Sequence, residues 1–402
     1  MRSSVRLMRV CKSWRKEASA YLYATPCITA TNLPLLTEQV VRGDKKWTDI
    51  HLHPYSTPGR WIQTLDLSHL TDQGFFSPHP TTIARSMFAL SSLCPNLKHL
   101  VLPLGAEGGW EEHVIRSCAR GLKALEGVHE NTLAKVLRAE SRCLKNLQVL
   151  SFVGAAGDGG YEGIGQWNNN QQEGSFKFDK LHTLILHNRV NDGPLLDALV
   201  DRELPQLKRL VITAYHQRTR AIHETHGNQL LSLTFLPPIE YPIIRSLPPL
   251  DTLDLHPQLL QLGFLLYNQY SHLSGILARA HELHHPLHTL TITNWTIPGS
   301  APHDFLADLV NRPPPHLKVL NIDGYRWVNA ELGRTACMSG VSGEKRVWAE
   351  RLAGAGIEVR DCEGRKMPCL GDVRDAEGER GRRRASFASP PKKRDQSQDD
   401  GG

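Results

Sequence analysis

Leu181-His182-Thr183-Leu184-Ile185-Leu186-His187-Asn188 places leucine at the first, fourth and sixth positions and asparagine at the eighth. Successive side chains of a strand point to opposite faces, so Leu184 and Leu186 face one way while Thr183, Ile185 and His187 face the other. One such strand leaves its leucines half buried and needs neighbours of the same kind. The spacing returns at Ile62/Leu65/Leu67, Leu97/Leu100/Leu102, Leu147/Leu150/Phe152, Leu207/Leu210/Ile212, Leu230/Leu233/Phe235, Leu250/Leu253/Leu255, Leu287/Leu290/Ile292 and Leu317/Leu320/Ile322. A single match in a leucine-rich chain is weak, but the set of nine is specific. Most matches follow a polar or proline turn such as Cys94-Pro95-Asn96 or Leu204-Pro205-Gln206.

This is the strand signature of a leucine-rich repeat. Strand spacing runs from 20 residues (Leu230 to Leu250) to 50 (Leu97 to Leu147), and the longest gap has room for a degenerate repeat at Leu122/Leu125. Apolar periodicity predicts helical returns at 83–92, 111–119, 131–138, 195–201, 273–283, 305–310 and 347–353. Strand-then-helix units imply an α/β fold: an irregular leucine-rich-repeat solenoid, a curved parallel sheet with outer helices, over residues 61–365. Gly354 to Asp361 reads as a closing strand after the last helix. Residues 154–174 break the rhythm with glycine, asparagine and glutamine and read as a flexible insertion.

The chain has 402 residues, 40% of them hydrophobic, and a repeat array of that length buries a core without splitting into globular domains. A net charge of +6 is mild for this length, and no nucleic-acid partner is expected. The eight cysteines are scattered without a C-x-x-C pair, as reduced thiols would be. Arg and Lys interrupt every apolar run of residues 1–20, unlike a secretory signal, and the longest apolar run, 259–266, is too short to span a bilayer. The expectation is a soluble cytoplasmic or nuclear protein without a membrane partner.

Upstream of the repeats, Leu7, Val10, Trp14, Ala18 and Leu22 recur at helical spacing, with Arg9, Lys12, Arg15 and Lys16 off that stripe. Val10-Cys11-Lys12-Ser13-Trp14-Arg15, Ala18 and Tyr21-Leu22-Tyr23 resemble the second half of an F-box, where the tryptophan locks the last helix onto the others. With repeats following, the chain resembles the fungal F-box/leucine-rich-repeat family. The F-box elements that supply much of the linker contact would precede Met1, so the expectation is that either the start lies further upstream or that contact is lost. The resemblance implies a short helical F-box remnant at 1–24, with Val10, Trp14, Leu22 and Tyr23 as its core. The implied partners are a Skp-type linker protein with its cullin complex, and an unknown protein substrate.

Residues 25–60 form a proline-containing connector with a short helical piece at 35–41, and residues 366–402 a disordered basic and polar tail. In that tail Arg382-Arg383-Arg384-Ala385-Ser386 and Ser389-Pro390 make Ser386 and Ser389 candidate phosphosites, and the two basic clusters resemble a nuclear import signal. A solvated tail is the plainer reading.

Three stretches invite a chemical reading. His281-Glu282-Leu283-His284-His285 fits H-E-x-x-H, which on a helix presents two histidines to zinc. Pro286 follows at once and no third-ligand segment is evident, so a polar helix end is the preferred reading. The glycines of 154–165 match no phosphate-binding loop, and Ser342 has half of a nucleophile elbow at most. No catalytic residue, metal or cofactor is therefore expected.

What remains is surface. Strand residues alternating with the leucines include Asp254, His256, Thr291, Thr293 and Asp323, and Tyr215, Trp295, Tyr325, Arg326 and Trp327 lie just past strands, where they would line one rim. Aromatic and arginine side chains anchor protein interfaces. The alternative is that each ring folds back over its own repeat. By resemblance, the chain is read as the substrate-recognition subunit of an SCF-type ubiquitin ligase in ubiquitin-dependent protein degradation, catalysing nothing itself. The runner-up is a protein-binding scaffold whose F-box remnant has become an N-terminal cap.

Overall fold

The computed structural model describes residues 12–48, 58–70, 80–104, 109–139, 144–154, 177–187, 194–213, 217–236, 250–265, 270–293, 301–327 and 340–367. The chain divides into unit 1, Met1–Phe264, and unit 2, Leu265–Gly402.

Unit 1 opens with helices α1 (Lys12–Ala24), α2 (Leu33–Thr48) and the single turn α3 (Pro58–Trp61). Its strands are β1 (Thr64–Asp66), β2 (His99–Val101), β3 (Ala124–His129), β4 (Val149–Val153), β5 (Thr183–His187), β6 (Arg209–Ile212), β7 (Ser232–Phe235) and β8 (Gln261–Phe264). Each pairs in parallel with the next, in chain order. The register stacks Leu65, Leu100, Leu125, Leu150, Leu184, Leu210, Leu233 and Leu262 in one row, every one of them buried. Fully burying one leucine is worth about 1.5–3 kcal/mol, so this row is the spine of the unit. The degenerate repeat expected at Leu122/Leu125 is β3. Helical returns α4 (Pro80–Leu93), α5 (Trp110–Cys118), α6 (Glu130–Ala139) and α7 (Pro194–Val200) stand where apolar periodicity placed them.

A backbone relay enforces the register. Lys98 and His99 donate their N–H groups to the Gln63 carbonyl, Lys123 and Ala124 to that of Lys98, and Gln148 and Val149 to that of Lys123. His182 and Thr183 then donate to Gln148, Lys208 and Arg209 to His182, Leu231 and Ser232 to Lys208, and Leu260 and Gln261 to Leu231. Side-chain amides staple the preceding turns. Asn96 Nδ2 donates to the Arg60 carbonyl at 2.8 Å, Asn146 Nδ2 to that of Arg120 at 3.1 Å, and Gln229 Nε2 to that of Leu204 at 2.8 Å.

Two expectations need correction here. Leu250/Leu253/Leu255 is not a strand: Leu250–Leu253 is a 3-10 turn, and the strand forms at β8 on Leu259/Leu262/Phe264. Both stretches carry the apolar spacing, but at the second the backbone donors of Leu260 and Gln261 meet the Leu231 carbonyl and continue the relay. The helix α8 (Gln217–His226) was not expected. Its buried face is Thr219, Ile222, His223 and His226, so polar side chains fill positions that a hydrophobic period would have marked.

Those two corrections meet at one contact. His223 Nδ1 lies 2.7 Å from His256 Nε2, and burial together with the second ring pushes the His223 pKa down to about 3, so the His223 ring packs uncharged. Gly227 lets the next segment close over it: a Cβ there would sit 2.2 Å from the Leu255 carbonyl oxygen and 2.5 Å from His256 Nδ1. Gly227→Ala is therefore expected to destabilise unit 1 by about 1–3 kcal/mol through overpacking, read as a lower urea midpoint.

Unit 2 holds α9 (Tyr270–Glu282), β9 (Thr289–Thr293), α10 (Ala301–Asn311), β10 (Val319–Asp323), α11 (Gly340–Gly354) and β11 (Glu358–Arg360), with β9, β10 and β11 parallel in chain order. Leu290, Leu320 and Val359 form its buried row. The closing strand expected within 354–361 is β11. Among the described residues no helix is long and apolar enough to cross a membrane, and Cys27, Cys94, Cys118 and Cys362 are free thiols. The insertion at 154–174 and the tail from 368 lie outside the described residues, apart from Gly154.

Candidate functional site

The leucines claim one face of the unit 1 strands, and the alternate positions present the other. On that second face the register lines up Asp66 of β1, Val101 of β2 and Glu126 of β3, while His99 of β2 reaches Glu126, and His187 of β5 reaches Ser151 of β4, on the diagonal. His99 Nε2 lies 2.6 Å from Glu126 Oε1, and His187 Nε2 lies 2.9 Å from Ser151 Oγ. A bulge in β3 joins the two pairs. Gly127 takes a left-handed φ of 73°, a Cβ on it would meet the Leu102 carbonyl oxygen at 2.3 Å, and its N–H donates to Ser151 Oγ at 3.4 Å.

The electrostatics follow from this arrangement. Burial tends to raise the Asp66 pKa, but the hydroxyl and backbone N–H of Ser68, with the charges of His69 and His99, hold it below the usual carboxylate value. Burial lowers the pKa of His187, with Glu126 pulling the other way. Half-exposed aliphatic residues, Val101, Val149, Val153 and Ile185, separate these polar groups. The face thus alternates fixed polar pairs with apolar patches.

Ser151 and His187 have the contact of a nucleophile and its base, but further requirements of such a site are unmet. Ser151 is 1% exposed, which hides its oxygen from a substrate. Nδ1 of His187, where a triad carboxylate would bind, is buried with no hydrogen-bond partner among the described residues.

The H-E-x-x-H stretch straddles a helix end. α9 stops at Glu282, His284 takes a φ of 49°, His285 turns into the core, and His281 stays exposed with Nδ1 3.1 Å from the Pro313 carbonyl oxygen. The two histidines therefore do not share a helical face. Among the described residues no group of three or more His, Cys, Asp or Glu is placed to hold a metal.

The rim residues separate into exposed and interior groups. Asp254, Asp323 and Arg326 are exposed, and Arg326 pairs with Glu363 at 3.0 Å. Thr291 and Thr293 are half-buried, with Thr291 Oγ1 accepting from Asn321 Nδ2 at 3.3 Å. His256 and Trp327 are interior, contrary to expectation. His256 belongs to the turned segment after the 3-10 element rather than to an alternating strand, and its ring is spent on His223. Trp327 folds back over its own repeat, its backbone N–H donating to Asp361 Oδ2 at 3.1 Å.

Half-buried Tyr325 lies edge-on to Trp327, with centroids 5.1 Å apart, and its hydroxyl is 3.3 Å from Ser342 Oγ. The Lys345 ammonium stands 3.7 Å from the centre of the Tyr325 ring, and burial lowers its pKa to about 8 against a smaller opposing pull from Glu344. This is an internal cation–π support. Tyr215, Trp295, Ser386, Ser389 and Val10 lie outside the described residues; Trp14 falls on α1, and Leu22 and Tyr23 are half-buried on the same helix. The polar row from Asp66 to Ser151 was missed, and aligning the strands on their leucines is the signal that finds it.

No protein-family model matches the chain, and no curated protein is similar to it. Among solved structures it is similar to the leucine-rich repeat-containing protein LegL7 from Legionella pneumophila. The TM-score is 0.40 and the identity 12%, over 82% of this chain and 95% of that one.

Proposed function

We propose that the chain is a protein-binding repeat scaffold that receives its partner on the face of unit 1 opposite the leucines. The observation that carries this reading is the alternation there of prepaired polar side chains, His99 with Glu126 and Ser151 with His187, with half-exposed valine and isoleucine. Apolar ground with fixed hydrogen-bonding groups is the make-up of protein interfaces, and groups already held in place lose little entropy on binding. The test is stoichiometric co-purification from the native host. A partner that accompanies the native chain and is lost from a folded Glu126→Lys/Ile185→Arg double variant supports the reading; a partner retained by that variant rejects this face.

Within this reading, the finer function is substrate recognition for an SCF-type ubiquitin ligase, supported by the likeness of residues 10–23 to the second half of an F-box. The scaffold with no ubiquitin link draws on a different observation. α1 is seated on the first repeat, with the Tyr23 and Trp61 rings 6.0 Å apart and the Gln63 N–H donating to the Ala24 carbonyl at 2.9 Å, as a cap would be. A pull-down against a purified Skp-type linker protein separates the two. Binding that Trp14→Ala abolishes favours the ligase subunit, and no binding favours the scaffold.

A further inference from the structure

The entrances to β2–β6 carry a charge pattern that the proposed binding face does not use. Taking the strand-entry leucine of each repeat (Leu97, Leu122, Leu147, Leu181, Leu207) with two residues on either side gives 25 positions, holding seven Lys or Arg and one carboxylate, Asp179. Lys98, Lys123 and Lys208 occupy the same relay position of their strands, and Arg120, Lys145 and Lys180 stand in the turns just before; all six are exposed.

Two features make this more than a solvated edge. The backbone relay fixes the spacing of the relay lysines, since strands repeat every 4.7–4.9 Å or so, and Lys98 to Lys208 therefore spans about 19 Å. Two of the ammonium groups are also held without being neutralised: Lys98 Nζ donates to Gln63 Oε1 at 3.0 Å and Lys180 Nζ to Asn146 Oδ1 at 2.9 Å, both neutral amides. Among the described residues none of these six cations is in an ion pair. Elsewhere the chain pairs its surface cations freely, as in Arg42–Glu38, Arg116–Glu112 and Arg220–Glu224.

We infer that this row is a docking strip for an acidic protein segment, rich in aspartate and glutamate and laid across the strand entrances. An extended segment of about six residues spans the row at about 3.3 Å per residue. Lysines on amide tethers suit carboxylates arriving at several points, and the strip lacks the interleaved aromatic rings that stack nucleic-acid bases. The strip goes beyond the proposed face: a partner can dock on either without the other.

The test is fluorescence anisotropy of the full chain with a labelled twelve-residue peptide of alternating Glu and Asp. Expected is salt-sensitive binding that weakens about tenfold or more in Lys98→Glu/Lys123→Glu/Lys208→Glu, as loss of complementary charge requires. Those side chains are exposed, so circular dichroism should be unchanged. Lys318→Glu, at the matching strand entrance of unit 2, and Glu126→Lys, on the proposed face, should not weaken the peptide. Equal affinity of the native chain and the triple variant overturns the inference. So does tighter binding of a single-stranded oligonucleotide of equal charge that the triple variant loses, which would give the strip to nucleic acid.

Discussion

Leu184→Ala is expected to destabilise unit 1 by about 2–5 kcal/mol, the cost of deleting a buried leucine from a site that relaxes only in part. Leu184 is fully buried and sits in register between Leu150 and Leu210, so the cavity opens into two repeat interfaces at once. In a stack whose stability is a sum of neighbour terms, damage in the middle weakens both sides. Ile185→Ala, one residue along on the half-exposed face, should cost roughly half as much or less because less area leaves water. Urea unfolding of the two variants checks this directly. Equal losses would mean that the two faces are not divided into core and surface as described.

Asp361→Ala is expected to cost unit 2 about 3 kcal/mol, from buried donors left without an acceptor and a charged pair broken. The carboxylate is 1% exposed and collects the backbone N–H groups of Trp327, Glu363 and Arg365 at 2.9–3.1 Å, plus the Arg365 guanidinium at 2.7 and 2.8 Å. It ties the residues after β11 to the turn that carries Tyr325 and Trp327. Burial alone would raise its pKa, but the Arg365 side chain and the three N–H groups outweigh that and hold it below the ordinary 3.8. A carboxylate whose folded pKa is depressed adds stability that is present above the unfolded value and lost as pH falls through the folded one. The gap in melting temperature between the native chain and Asp361→Asn should therefore be full at pH 6 and shrink as pH falls below about 4. A gap that does not change with pH would contradict the ionised carboxylate.

Leucine spacing placed the strands because burial of that row is a local requirement written every few residues. Helical returns are legible wherever aliphatic residues repeat, and α8 is not, because Thr219, His223 and His226 take core positions, His223 against His256 and His226 against the Leu199 carbonyl. The second leucine match at Leu250 failed for a related reason: spacing records which residues are willing to be buried, while the backbone relay decides which of two willing segments becomes the strand. The polar row escaped because its members come from different repeats. His99 and Glu126 are 27 residues apart and Ser151 and His187 36 apart, and only the register brings them together. His256 reads as surface from its place alternating with the leucines of a strand at Leu250, and Trp327 from its place just past one; both turn inward, His256 onto His223 and Trp327 with its backbone N–H on Asp361.

Site-specific photo-crosslinking in the native host tests the central claim most directly. A benzophenone side chain introduced at Ile185 or Gln261, on the face opposite the leucines, is expected to capture a discrete protein adduct, and the same side chain at Arg116 or Arg138 on the helices should capture none. Adducts from the helix positions alone, or the same adducts from all four, would contradict a partner seated on that face.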